Sequence, residues 1–94
     1  MITRIVKLEI KPEYALQFRQ TFADNHVRIE SFPGCIEVRL VHASSDDQTH
    51  FTISTWENEQ ALENYRHSEL FGVIWPTVKP WFKEKAEAWT TVGF

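Results

Sequence analysis

His26 is the side chain in this sequence best suited to moving a proton. It shares a spacing of four, four, four and three residues with Tyr14, Phe18, Phe22 and Ile29, so a helix would aim all five at one surface. A neutral imidazole on that surface can exchange a proton with a ligand near physiological pH. The plainer reading is a core histidine satisfied by a backbone carbonyl. Asn25 precedes it, and Phe22 lies one turn earlier. A second group is aromatic: Trp56, Tyr65, Trp75 and Trp81. If these rings converge they form a flat apolar slot for an aromatic or polycyclic ligand. The plainer reading is a tryptophan-rich small core.

Other chemistry is poorly supplied. Cys35 follows Gly34 with no neighbouring cation to depress its pKa, so it reads as a small hydrophobe rather than a nucleophile. His42, His50 and His67 show neither the i,i+4 spacing nor the adjoining carboxylates of a metal site. Three glycines are too few for a dinucleotide fingerprint, and no phosphate loop is present. No metal and no cofactor are expected.

The elements that would carry these residues follow from hydrophobic period. Alternation marks Ile2–Ile10, Ile36–Ala43, Phe51–Trp56 and Ala86–Phe94, while a helical rhythm runs through Tyr14–Ile29 and Ala61–Phe82. The order β-α-β-β-α-β is the ferredoxin-like unit, an α+β fold with a four-stranded antiparallel sheet and both helices on one face. Pro12 suits a first helical turn, and Gly34 tolerates a left-handed backbone after Pro33. Ala43–Thr49 reads as a hairpin loop. Asn58 is a candidate N-cap. Pro76 should kink or split the second helical segment, and Ser68 offers a restart.

Ninety-four residues make one domain, spanning 1–94, with a modest core. Ten Lys and Arg against thirteen Asp and Glu give a net charge of −3 without a basic stripe, which argues against nucleic acid. No apolar run approaches the ~20 residues of a membrane span. Met1 leads straight into a strand without a charged-then-apolar segment, so a cytoplasmic location is expected. Ile5 and Trp89 fall on strand parities that face away from the helices. Left in water, they and part of the third strand would form an apolar patch too large for a monomer. Two sheets packed back to back would bury it, and a homodimer is expected.

Three local signatures carry a resemblance over essentially the whole chain. They are Phe22–His26 leading to Phe32-Pro33-Gly34-Cys35, then Thr55-Trp56-Glu57-Asn58-Glu59-Gln60-Ala61, then His67-Ser68-Glu69-Leu70-Phe71. On these the chain resembles the antibiotic biosynthesis monooxygenase-like family of dimeric α+β barrels. The family includes cofactor-free monooxygenases of phenols and quinols, heme-degrading enzymes, a sugar-phosphate isomerase and members without known activity. The resemblance implies that Trp56 is the family's tryptophan at the end of the third strand. Thr52 stands where the polyketide-oxidising branch has an asparagine, and no counterpart of that branch's pocket arginine is found near Phe71. Val6, Tyr65 and Trp75 occupy the Asn, Trp and His positions of the heme-degrading branch, so heme degradation is not implied. His26 matches a histidine after asparagine in isomerase-like and quinol-oxidising members. Strand parity alone would turn Phe51 and Ile53 toward the helices, whereas the resemblance turns Thr52 and Trp56 there. A dimer buries both faces, and the resemblance is followed.

The function expected from these residues is cofactor-independent oxidation of a small phenol or quinol with dioxygen. His26 would accept the proton, Asn25 and Thr52 would orient substrate oxygens, and Phe22, Trp56, Tyr65, Phe71 and Trp75 would wall the site. The alternative is a dimeric binding or structural module without turnover. A weaker option is a proton-transfer isomerase of a small carbonyl metabolite.

Overall fold

The computed structural model describes residues 1–94. Its elements are β1 (Ile2–Glu9), α1 (Ala15–Glu30), β2 (Cys35–His42), β3 (Thr49–Trp56), α2 (Glu59–Arg66), α3 (Glu69–Val78) and β4 (Glu87–Val92). The strands form one antiparallel sheet in the order β2-β3-β1-β4. This is the ferredoxin-like α+β arrangement.

Pairing settles the orientation of β3. Arg4 and Val6 face Ser54 and Thr52 across β1 and β3, with Ile2 opposite Trp56. Ile2 and Trp56 are buried in one core cluster with Ala61 and Leu62 of α2. Thr52 and Trp56 therefore point toward the helices, and Phe51 and Ile53 toward the opposite face.

Local chemistry explains the boundaries. Pro12 opens a 3-10 turn, Pro12–Tyr14, that feeds α1. Gly34 takes φ +88°, the left-handed region that glycine enters without steric cost. The Asn58 side chain accepts the Ala61 N–H at 2.9 Å, capping α2. Pro76 does not break the second helical segment. It sits inside α3, and the break falls earlier, at His67-Ser68. There the Ser68 hydroxyl donates to the Tyr65 carbonyl at 2.6 Å and accepts the Phe71 N–H at 3.1 Å. A serine that closes one helix and caps the next dictates a bend more firmly than a proline near a helix end. Ile10 lies beyond β1, in an isolated bridge with Phe82.

Only 13 of 94 residues are buried, because the core is divided. One cluster gathers Ile2, Trp56, Ala61 and Leu62. The other gathers Leu8, Ile10, Phe18 and Val78 at the far end of the sheet. Between them the sheet carries short side chains, Val6, Thr52 and Ala88, paired across β3, β1 and β4. Short residues beneath aromatic helices leave a hollow, since close packing needs volume from both layers.

His50 anchors the far end. It is fully buried, its Nδ1 lies 2.9 Å from the Gln48 carbonyl, and its Nε2 lies 3.1 Å from the Arg19 Nε. Arginine can only donate, so Nε2 accepts and the Nδ1–H donates, which is the neutral tautomer. Burial first, with help from the Arg19 charge, holds its pKa below the ordinary imidazole value. Below about pH 6.5 the unfolded chain takes up a proton here that the folded chain refuses. Stability should therefore decline as pH falls from neutrality through that value, and the decline should stop below the folded pKa. Urea midpoints across this range should fall less steeply with acid in His50→Gln than in wild type. Equal slopes would assign the effect to other groups.

Candidate functional site

The hollow is a cavity of about 330 Å³ between the helices and the sheet. Its floor includes Arg4, Val6, Thr52 and Ser54, and α1 contributes Phe22 and Asn25. Tyr65 and Arg66 come from α2, and Phe71 and Trp75 from α3. Ala88 is exposed, which places an opening beside β4.

Aromatic rings run without interruption from the buried core onto one wall. Trp56 and Tyr65 have centroids 5.1 Å apart, Tyr65 and Phe71 5.4 Å, and Phe71 stacks on Trp75 at 5.6 Å and 15°. Helical spacing produces the second half of this row, because Phe71 and Trp75 are i,i+4 neighbours. Trp81 does not join it and stacks instead on Tyr14.

Six of the eight residues expected from sequence line the cavity: Phe22, Asn25, Thr52, Tyr65, Phe71 and Trp75. Trp56 does not. It is completely buried behind Tyr65, with its indole N–H donating to the Ser54 hydroxyl at 2.9 Å. Its place is to support the wall, not to form it.

His26 also stays outside the cavity lining. Its Nε2 lies 2.9 Å from the Val38 carbonyl and 3.2 Å from a Glu30 carboxylate oxygen, while Glu30 accepts the Val38 N–H at 3.1 Å. β2 is an edge strand, so backbone groups turned away from β3 need other partners. Together His26 and Glu30 satisfy Val38 on that edge. Helical periodicity gave His26 the right side of α1, but the edge of the sheet claims its imidazole.

Polar groups without protein partners do face the hollow. The Asn25 amide N–H donates to the Thr21 carbonyl at 2.9 Å, leaving its Oδ1 free. The Thr52 and Tyr65 hydroxyls make no protein hydrogen bond, yet no buried side-chain polar atom is unsatisfied. These atoms must therefore open onto accessible space. Burial pushes the Tyr65 pKa up to about 12, so its phenol remains a neutral donor. Burial likewise pushes the Cys35 thiol up to about 11, with the Glu30 charge adding to the rise. That thiol is a packing group.

Arg4 and Arg66 are the functional candidates that sequence reading passed over. Arg4 interrupts the inward parity of Ile2, Val6 and Leu8, and a cation on the buried side of a central strand was the available signal. Arg66 follows Tyr65 directly and is four residues after Leu62, another cavity residue. No carboxylate and no imidazole lines the cavity. No three His, Cys, Asp or Glu side chains gather as a metal site requires.

A family model for antibiotic biosynthesis monooxygenase matches residues 1–74. The chain belongs to that family. Solved structures extend the likeness to the last strand. A proposed antibiotic biosynthesis monooxygenase from Nitrosomonas europaea superposes with a TM-score of 0.92 at 16% identity, over 99% of this chain and 98% of that one. A conserved protein from Methanosarcina mazei Go1 gives 0.90 at 20% identity, over 97% and 91%. Rv0793 from Mycobacterium tuberculosis gives 0.90 at 12% identity, over 99% and 94%. At such identities the likeness is one of fold. No curated protein matches the chain significantly. For this member of the antibiotic biosynthesis monooxygenase family, no helix is long and apolar enough to cross a membrane.

Proposed function

We propose that the chain is a cofactor-independent monooxygenase of a small aromatic phenol or quinol, acting as a cytoplasmic homodimer. The observation that carries this reading is the hollow itself, with an aromatic wall, a few convergent polar atoms and only cationic charge. A ring would lie along Tyr65, Phe71 and Trp75, with Phe22 closing the other side. Asn25 Oδ1 and the Thr52 and Tyr65 hydroxyls would orient its oxygens.

The chemistry balances without an outside reductant. An ionised phenol gives electrons to dioxygen, and a C–O bond forms at a ring carbon that bears hydrogen. Uptake of a proton gives a ring hydroperoxide. Loss of that carbon's hydrogen as a proton then breaks the O–O bond. One oxygen remains as a carbonyl and the other leaves as water, so phenol plus dioxygen becomes quinone plus water. The protein must bind the ring, favour its ionised form and keep water from the reacting carbon. With no base on the wall, water would accept the first proton, and the two guanidinium groups would stabilise the phenolate left behind.

The homodimer rests on the sheet's outer face. Ile5 pairs with both Ile53 and Trp89, and Val41 with Phe51. These side chains form an apolar surface, on which Trp89 is 47% exposed. A second copy of the same face would remove it from water.

Chelator-treated protein should consume one dioxygen per quinol, and isotopically labelled dioxygen should place one labelled atom in the product. No uptake above the buffer rate, or hydrogen peroxide in place of an oxygenated product, overturns the reading. Binding without turnover is the second reading, favoured by the absence of a base on the cavity wall. It expects a thermal shift with aromatic ligands and no oxygen uptake. The isomerase option loses its candidate base with His26 outside the cavity.

A further inference from the structure

We infer that the cavity is a site for an aromatic anion, with Arg4 supplying the charge that holds the anion's oxygen. The inference rests on the proposed use of the hollow as a ligand site and adds the class of ligand that it accepts.

Charge is distributed unevenly on this chain. The whole molecule carries −3, yet Arg4 and Arg66 are the only charged residues lining the cavity. Arg66 is compensated: its Nη1 lies 2.7 Å from a Glu63 carboxylate oxygen. Arg4 is not. It has no ion-pair partner, and its one side-chain hydrogen bond runs from Nη1 to the Thr90 hydroxyl at 2.8 Å. A guanidinium has five N–H donors, so Arg4 keeps donors in reserve beside an aromatic wall. Burial, and after it the charge of Arg66, lowers its pKa, and the charge of Glu63 offsets only part of that fall. Both effects mark a cation that an incoming anion would stabilise.

A second feature points the same way. A shallow recess shares Trp75 and Ala86 with the cavity, and its charged residues are Lys79, Lys83, Lys85 and Glu84. Three cations against one anion at the margin of a net-acidic chain would draw anions toward the opening. The shared chemistry is an aromatic ring bearing one negative oxygen group. That group is either an ionised phenol or a ring carboxylate.

Titration calorimetry with 2-naphthoate and 2-naphthamide separates charge from shape. A charge-assisted hydrogen bond contributes roughly 1.5–3 kcal/mol, so the acid should bind about tenfold tighter or more. Arg4→Met should erase the preference, while Arg4→Lys should keep part of it. If Arg4→Met does not fold, the wild-type comparison still tests for an anion site in the cavity, and a reduced preference in Arg4→Lys assigns the charge to Arg4. Equal affinities for acid and amide overturn the inference, as does a preference that survives in folded Arg4→Met. Absorbance titration of bound 4-nitrophenol identifies the source of the anion. A lowered phenol pKa supports a phenolate, and an unmoved one beside tight naphthoate binding supports a carboxylate. Acid-selective binding without oxygen uptake defeats only the proposed oxidation. Oxygen uptake without acid selectivity defeats only the present inference.

Discussion

Replacing Trp56 with alanine is expected to lower the unfolding free energy by about 3–5 kcal/mol. Its indole is wholly removed from solvent and packs with Ile2, Ala61 and Leu62, with Phe32, Cys35 and Tyr65 around them. These neighbours come from β1, β2, α2 and the turn after α1, so they cannot all close on the void. The lost indole N–H also withdraws the donor at 2.9 Å from the Ser54 hydroxyl, itself buried. For a domain whose total stability is of order 5–15 kcal/mol, this is a large fraction. Urea unfolding at fixed protomer concentration measures it as a shift in midpoint. Trp56→Phe, which keeps a ring but not the donor, should fall between wild type and alanine. A loss below about 1 kcal/mol, well under the usual cost of an emptied aromatic site, would mean that Trp56 is not the keystone of that cluster.

Gly34→Ala should cost about 2–5 kcal/mol from two separate causes. At φ +88° any side chain strains the backbone, at roughly 1–2 kcal/mol. An added Cβ would also overlap the Cβ of Ala61, and overpacking adds about 1–3 kcal/mol. The position cannot drift to relieve the clash, because the Gly34 carbonyl accepts the Glu57 N–H at 2.9 Å. The two causes separate in a double-mutant cycle. Ala61→Gly should recover the overlap portion of the Gly34→Ala loss and leave the backbone portion. Additive losses would show that steric contact with α2 plays no part. Ala61 belongs to the cluster that supports the hollow and Gly34 lies against it, so these variants should also weaken ligand binding.

Much of the fold was legible because its signals are local. Period-two runs, Pro12, Gly34 and Asn58 all act on their own neighbourhoods, and each has the predicted effect in the structure. Period failed where both sheet faces are apolar: Phe51 and Ile53 look as core-like as Thr52 and Trp56, and family resemblance had to choose. Pro76 does not split the segment, whereas Ser68, the restart expected from sequence, ends one helix and caps the next.

The site was legible in its walls and illegible in its charge. The aromatic group read from sequence announced Tyr65 and Trp75, and Phe71 stood with them among the expected wall residues. His26 was drawn from the same periodicity, but a one-dimensional pattern cannot show an unpaired carbonyl on the edge strand. Arg4 was visible only as an interruption of strand parity. Its meaning depends on Arg66, Glu63 and Thr90, which the chain brings near it from far along the sequence.

The claim on which the account rests is that the hollow between helices and sheet holds an aromatic ligand. A crystal structure with 2-naphthoate bound tests this most directly. The account predicts the ring alongside Tyr65, Phe71 and Trp75 with its carboxylate at Arg4. A hollow refilled by protein side chains, or naphthoate bound only on the outer sheet face near Trp89, would contradict it.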